Sequence, residues 1–215
     1  MDAATLQNRI YKGYAKAATR IGYNTDIHRP KSASNPMASV NKLRAIPVSF
    51  NVEDMKYSKP NKYAHPTWYG VYDGTQTQVG DYLTNPQDGT FYVAAQQQAL
   101  PILLVECNRT INILRPQQET GIGAQGYGGD TDANETALMT AWPASVLQGS
   151  KGDKIEMALP GDTRSPAWAI LMPYYTGIIL RSADIITDDL ARRYVISSAE
   201  LTDLGWRIQA MQVQT

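Results

Sequence analysis

Between Gly80 and Pro116 the chain reads "GDYLTNPQDGTFYVAAQQQALPILLVECNRTINILRP". Short runs of β-branched and aromatic residues alternate with Asn, Pro, Asp and Gly, which is the cadence of three or four strands joined by turns. Asp88-Gly89, flanked by "DYL" and "TFYVAA", reads as a two-residue hairpin signal. "LPILLVE" and "RTINILR" continue as a buried and a half-buried strand. The polar residues sit where turns are needed, and none of them is grouped for chemistry.

The remainder of the chain obeys the same rhythm with two interruptions. Residues 3–21 have helical spacing: Leu6, Ile10, Tyr14, Ala18 and Ile21 fall on one expected apolar face, and Lys12, Lys16 and Arg20 form a basic stripe. Gly22 is placed to stop that helix, and Gly13 in its middle weakens it by about 1 kcal/mol relative to Ala. Residues 23–42, "YNTDIHRPKSASNPMASVNK", are polar and Pro-punctuated and predict an extended arm. Residues 43–116 predict a first β-module. Residues 117–153 hold the Gly-rich "QQETGIGAQGYGGDTDANET" and then "ALMTAWPASVLQG", which predicts two short helical turns with Pro143 in the first turn of the second. Residues 154–215 return to strands as a second β-module, and 43–215 together could form one composite domain. The fold class is therefore mainly β: one or two small barrel or sandwich modules with an N-terminal helix, an extended arm and a long Gly-rich insertion.

Two of these segments echo each other. "GDYLTNPQDGTFYVAA" resembles "SADIITDDLARRYVISSA", with Asp81 matching Asp184 and Tyr92-Val93 matching Tyr194-Val195. A duplicated β-module and two ordinary hairpins both account for that pattern.

Composition narrows the function classes. Thirteen Tyr and four Trp against two Phe suit strands and wet interfaces, because these rings carry a polar handle. Net charge is zero, yet residues 1–62 carry eleven Lys/Arg against four acids, and the rest is correspondingly acidic. Such a split suits head-to-tail docking of copies, a basic end on an acidic or phosphate-bearing partner, or a solvated basic arm. The single Cys107, inside "PILLVECN", excludes an internal disulfide and a cysteine zinc site and reads as a buried thiol. "MDAATLQNRIYKGY" lacks the apolar core of a secretion signal, and "AWAILMPYYTGIIL" is too short to span a membrane, so assembly in a cytoplasm is expected.

The search for chemistry returns little. His28 lies in the arm and His65 beside Pro66, a setting more typical of a structural ring than of a general base. "GIGAQGYGG" lacks the preceding strand, following helix and Gly-Lys-Ser/Thr that aim amides at a phosphate. Asp130, Asp132 and Glu135 lack the register of a calcium loop. No catalytic residue, no metal ligand and no cofactor site is assigned, and a non-enzymatic protein is expected.

The opening segment, together with "GIILRSADIITDDLARRYVISSAELTDLGWRIQAMQVQT", resembles the β-barrel module of head–tail joining (neck or connector) proteins of tailed bacteriophages. Asp184, Tyr194, Val195, Trp206 and Ile208 carry the likeness, which covers the second module best and the arm and Gly-rich insertion hardly at all. The resemblance implies a virion protein assembled in the host cytoplasm. Copies would form a homo-oligomeric ring between portal or adaptor and tail proteins, with DNA passing nearby without specific binding. Leu6, Ile10, Lys12, Tyr14, Lys16, Arg20, Arg29 and Lys31 are then candidates for the subunit interface, and Gly121, Gly123, Tyr127, Asp130 and Asp132 for the lumen or the neighbouring ring. Alternatives are a tail-terminator, tail-tube or baseplate component. Two further classes are a carbohydrate-binding or adhesin module with "HPTWYGVY" as its platform around Trp68, and a hydrolase built on His65 with Asp73 or Asp81.

Overall fold

The computed structural model describes residues 2–51, 66–117, 134–148 and 167–213. It begins with helix α1 (Ala3–Ile21), capped by the Asp2 carboxylate, which accepts the Thr5 N–H at 2.8 Å. That bond satisfies one of the free amides at a helix start. Gly22 ends the helix in extended backbone while its own N–H still donates to the Ala18 carbonyl. The helix lies where its periodicity predicts, but it is rolled about its axis. Tyr11 and Ala18 are the buried residues and Tyr14 is packed beside them, whereas Leu6 and Ile21 are 44% and 62% exposed. The surface beneath decides this. A Cβ on Gly74 would lie 2.5 Å from the Tyr11 ring, and one on Gly22 would lie 2.6 Å from the Val48 backbone. The two glycines make the shallow seat that admits Tyr11 and brings the Ala18 turn against the sheet.

Among the described residues twelve strands follow and close into two barrels of six. The first contains β1 (Tyr23–His28), β2 (Lys42–Asn51), β3 (Thr67–Val71), β4 (Tyr82–Asn85), β5 (Gly89–Ala95) and β6 (Ile102–Cys107). Its order is β1-β2-β3-β6-β5-β4, shut by pairing of Ile27 with Leu83. The second contains β7 (Arg109–Pro116), β8 (Glu135–Gln148), β9 (Ala167–Met172), β10 (Ile185–Asp188), β11 (Arg193–Thr202) and β12 (Gly205–Gln212). Its order is β7-β8-β9-β12-β11-β10, shut by Ile113 with Ile186. Closure pairs the strand edges that an open sheet would expose.

The mainly β class with barrel modules stands, but several boundaries move. Tyr23–His28 is a barrel strand rather than part of an arm; Tyr23 and Asn24 are exposed and Asp26 half-buried, while Thr25, Ile27 and His28 are buried. Arg109–Pro116 belongs to the second barrel, not the first module. The segment expected to make helical turns is the long strand β8, whose residues 142–146 are all buried, Trp142, Ala144 and Val146 among them in the core. Pro143 sits in this strand two residues ahead of Ser145, where pairing with β9 begins, so its missing N–H costs no bond of that ladder. The β4–β5 turn is one residue longer than the hairpin signal: Asn85 pairs with Gly89, and Gly89 adopts φ +93°.

Register shows that the barrels are the same object twice. Asn24 pairs with Pro47 as Thr110 pairs with Pro143; Ser49 pairs with Val71 as Ser145 pairs with Leu171. Trp68 opposes Leu104 as Trp168 opposes Ala210. The bulge after Val93 in β5 recurs after Ile196 in β11. The faint echo in the sequence is thereby placed in register, with one correction. Val93 matches Ile196, so Phe91 rather than Tyr92 is the counterpart of Tyr194.

Two cores result. One fills the first barrel beneath α1, with Ile27, Val48, Tyr72, Leu83, Phe91 and Leu104. The other fills the second barrel and continues into Tyr82, Tyr92, Ala94 and Val105 of the first. The Tyr82 hydroxyl donates to the Pro143 carbonyl at 2.8 Å, and its ring meets Trp142 edge-on. Residues 29–41 cross from the first barrel to the second, where Thr140 donates to the Ala33 carbonyl and Asn35 to that of Thr140. The Trp142 indole N–H also donates to Ala33.

Candidate interaction surface

Each barrel is locked by the same charged fork. Arg29, just past β1, places Nε and Nη2 on the two oxygens of Asp81 at 2.8 and 2.7 Å. Arg115, near the end of β7, grips Asp184 at 2.8 Å through both nitrogens. Asp81 and Asp184 are buried, and each also accepts a backbone N–H from three residues back, of Gln78 and Arg181. A planar guanidinium facing a carboxylate with two parallel bonds is the strongest form of this contact. The bond to Asp81 also holds the Arg29 guanidinium proton more firmly than usual. These forks tie the first strand of each barrel to its fourth.

At the opposite end the barrels differ. In the second, Asp188 accepts N–H groups from Leu190 and Arg192, the Arg192 Nε at 2.8 Å and the Tyr194 hydroxyl at 3.0 Å. Burial opposes its ionisation, but these donors prevail and its carboxyl titrates below the ordinary range. The Tyr194 phenol is pushed up to about 12, first by burial and then by the carboxylate it serves. Arg192 lies over the Trp168 ring at 4.9 Å. The first barrel has an uncharged counterpart: Asn85 accepts the N–H groups of Gln87 and Asp88, and Trp68 meets Phe91 edge-on as Trp168 meets Tyr194.

An outward basic stripe lies on α1. Lys12, Lys16 and Arg20 are exposed, and among the described residues none has an ion-pair partner. Leu6 shares this outer face, as does Gly13, around which a Cβ would meet nothing within 4 Å. The complementary surface is the β11–β12 hairpin, which presents Leu201 and Leu204 at 46% and 37% exposure beside exposed Glu200 and Asp203. Glu200 has only a long contact of 3.9 Å to Arg207, and Asp203 has no ion-pair partner among the described residues.

The interface candidates therefore divide. Leu6, Lys12, Lys16 and Arg20 lie on the exposed face of α1; Tyr14 packs on the first barrel's core and Ile10 is half-buried. Arg29 is spent on Asp81, and Lys31 donates to the Val40 carbonyl at 2.8 Å. Gly121, Gly123, Tyr127, Asp130 and Asp132 lie outside the described residues, as does His65. Asp81 is committed to its fork, and Asp73 caps the turn at Gly74–Gln76 through Thr75. Trp68 is turned into the first barrel, with its N–H on Glu106 at 3.0 Å, and Tyr72 is fully buried, so "HPTWYGVY" presents neither ring as a flat surface. Burial raises the Cys107 thiol above its ordinary titration range. Among the described residues no group of three or more His, Cys, Asp or Glu is placed to hold a metal ion, and no helix is long and apolar enough to cross a membrane.

The sequence reading missed both forks and the Trp68/Trp168 pair. A signal was present: "IPVSF" at 46–50 and "WPASV" at 142–146 occupy the same positions of β2 and β8. Compared with known proteins, the chain matches no family model, no curated protein and no solved structure.

Proposed function

We propose that the chain is a non-enzymatic structural subunit of a virion, one of several copies forming the ring that joins the head of a tailed bacteriophage to its tail. The observation that supports this reading most is the division of labour among charged groups. The buried acids Asp81, Asp184 and Asp188 each serve an arginine of their own barrel, whereas among the described residues Lys12, Lys16 and Arg20 on α1 and Asp203 on the β11–β12 hairpin have no ion-pair partner and Glu200 has only its long contact to Arg207. A rigid tandem scaffold with complementary exposed charge suits repeated contact between copies. The segment carrying the likeness to neck proteins supplies that hairpin and much of the second barrel.

The test is an amber stop in this gene in its parent genome, followed by electron microscopy of the lysate. DNA-filled or leaking heads beside free tails are expected. Complete particles that fail to infect would move the protein to the tail tip. Wild-type particles of normal infectivity would overturn the virion reading.

A further inference from the structure

We infer that the outer face of α1 is the docking site for the β11–β12 hairpin of a second copy of this chain, in a head-to-tail contact. The inference deepens the reading of the protein as an assembly subunit and rests on it for its biological setting, though its geometry stands on separate observations.

Three features converge. The first is Gly13, a helix-weakening residue in mid-helix that the isolated chain does not need. It packs against nothing, is exposed, and adopts no conformation that requires glycine. A glycine on an open helix face has a physical purpose when another backbone or a bulky side chain must approach closely. The second is chemical complementarity around that bare spot. Lys12 and Lys16 lie within one turn of it on α1, with Leu6 and Arg20 two turns away on either side, and the hairpin offers Leu201 and Leu204 beside Glu200 and Asp203, with exposed Arg207 across from Glu200. Two apolar side chains beside acids would meet a face that carries Leu6 toward one end and bases along the rest.

The third is the internal duplication. In the first barrel the exposed turn between β5 and β6 touches α1 where the Gln7 side-chain oxygen accepts the Ala99 N–H at 2.7 Å. The matching turn of the second barrel is the β11–β12 hairpin; Ala99 and its counterpart Gly205 both have positive φ, +60° and +113°. Among the described residues no helix covers it, and Leu201 and Leu204 remain open. The chain thus already holds one hydrogen bond between helix and hairpin turn and, among the described residues, leaves the second hairpin without one. A neighbour's α1, seated by its inner face on its own first barrel, would cover that hairpin with its outer face. The two surfaces are different, so the contact is heterologous, and it propagates into a ring or an open filament.

The experiment uses the full-length chain with Lys16→Cys or Asp203→Cys and a short bis-maleimide crosslinker, the unaltered protein with its Cys107 serving as control. Crosslinked dimer is expected when the two single variants are mixed and not from either alone, and a ladder is expected from the double variant. Gly13→Leu in that background should abolish the ladder while leaving the circular dichroism spectrum and melting temperature of a folded protein, because the position has room. Lys12→Glu with Lys16→Glu should weaken association about tenfold, and Glu200→Lys with Asp203→Lys in the second partner should restore it. Three results would overturn the inference: chains that stay monomeric and uncrosslinked at the highest attainable concentration, crosslinks only between two Cys at position 16, or an α1 face that instead retards duplex DNA and loses this with the lysines. The amber experiment fails independently. Normal particles alongside a head-to-tail ladder would remove the virion role and leave the contact standing.

Discussion

At the scale of single residues, the two forks carry the most consequence. Asp81 is buried while the Arg29 side chain keeps 34% of its surface in water, so removing the arginine strands a carboxylate rather than merely losing a contact. Arg29→Ala is expected to lower stability by about 3 kcal/mol, the low end for a broken buried pair because the guanidinium is partly solvated. Arg115→Ala should cost a similar amount, since its fork repeats the same geometry with 30% exposure. Urea unfolding of the two variants checks both magnitude and equivalence, and lysine at either site should recover only part of the loss because it cannot fork. His28 makes a different prediction. Burial holds its proton affinity below the ordinary imidazole value; nearby Asp26 and the Ala38 backbone offset this in part, and Lys42 reinforces it. The unfolded chain therefore binds the proton more readily. Stability contributed by neutral His28 is present above about pH 6.5 and is lost as the pH falls below it. His28→Gln should flatten the dependence of the urea midpoint on pH between about 5 and 7.

At the scale of elements, α1 shows how a helix can be legible and its orientation not. Its span and its Gly22 stop follow from spacing alone, but several rolls of a broad apolar stripe satisfy that spacing. The choice was made by the approach of Gly74 to Tyr11 and of Val48 to Gly22, contacts between residues far apart in the chain that no local pattern records. Two variants test the account. Asp2→Ala removes the cap to Thr5 and should cost about 1 kcal/mol. Gly13→Ala should raise stability by up to about 1 kcal/mol in the isolated chain, read as an increased melting temperature, because the added methyl meets nothing. Strand β8 gives the complementary lesson. "ALMTAWPASVLQ" was expected to coil into helical turns around Pro143, and it is instead extended, because long-range pairing with β7 and β9 outweighs a weak local preference.

At the scale of the whole molecule, the two barrels share a core. Tyr82, Tyr92, Ala94 and Val105 of the first barrel are buried with the interior of the second, and the connection 29–41 binds across β8. Calorimetry of the full chain should therefore show one cooperative transition, not one for each barrel. Trp142, which is fully buried and touches Tyr82, Tyr175 and the Ala33 carbonyl, is the residue whose loss should cost most at this joint. Trp142→Ala is expected to remove about 3–5 kcal/mol and to split or broaden the transition. Tyr82→Phe, which deletes only the bond to Pro143, should cost about 1 kcal/mol and keep the transition single.

By itself the sequence determined the class of the fold, the helix and many of the strands, and it left an echo between two segments that the register of the barrels then resolved as a repeat. Each of these is written in short-range alternation, turn residues and caps, which act between neighbours along the chain. The basic stripe of Lys12, Lys16 and Arg20 was likewise visible, because solvent-facing charge follows the same periodicity, whereas the exposure of Leu6 was not. Only the tertiary structure decided where each barrel begins and ends, which face of α1 is inward, and that Arg29 serves Asp81 rather than a partner. Those outcomes depend on pairings such as Ile27 with Leu83 and Arg29 with Asp81, between residues far apart in the chain. Closing a barrel selects among such pairings by satisfying every strand at once, a condition no local stretch of sequence contains.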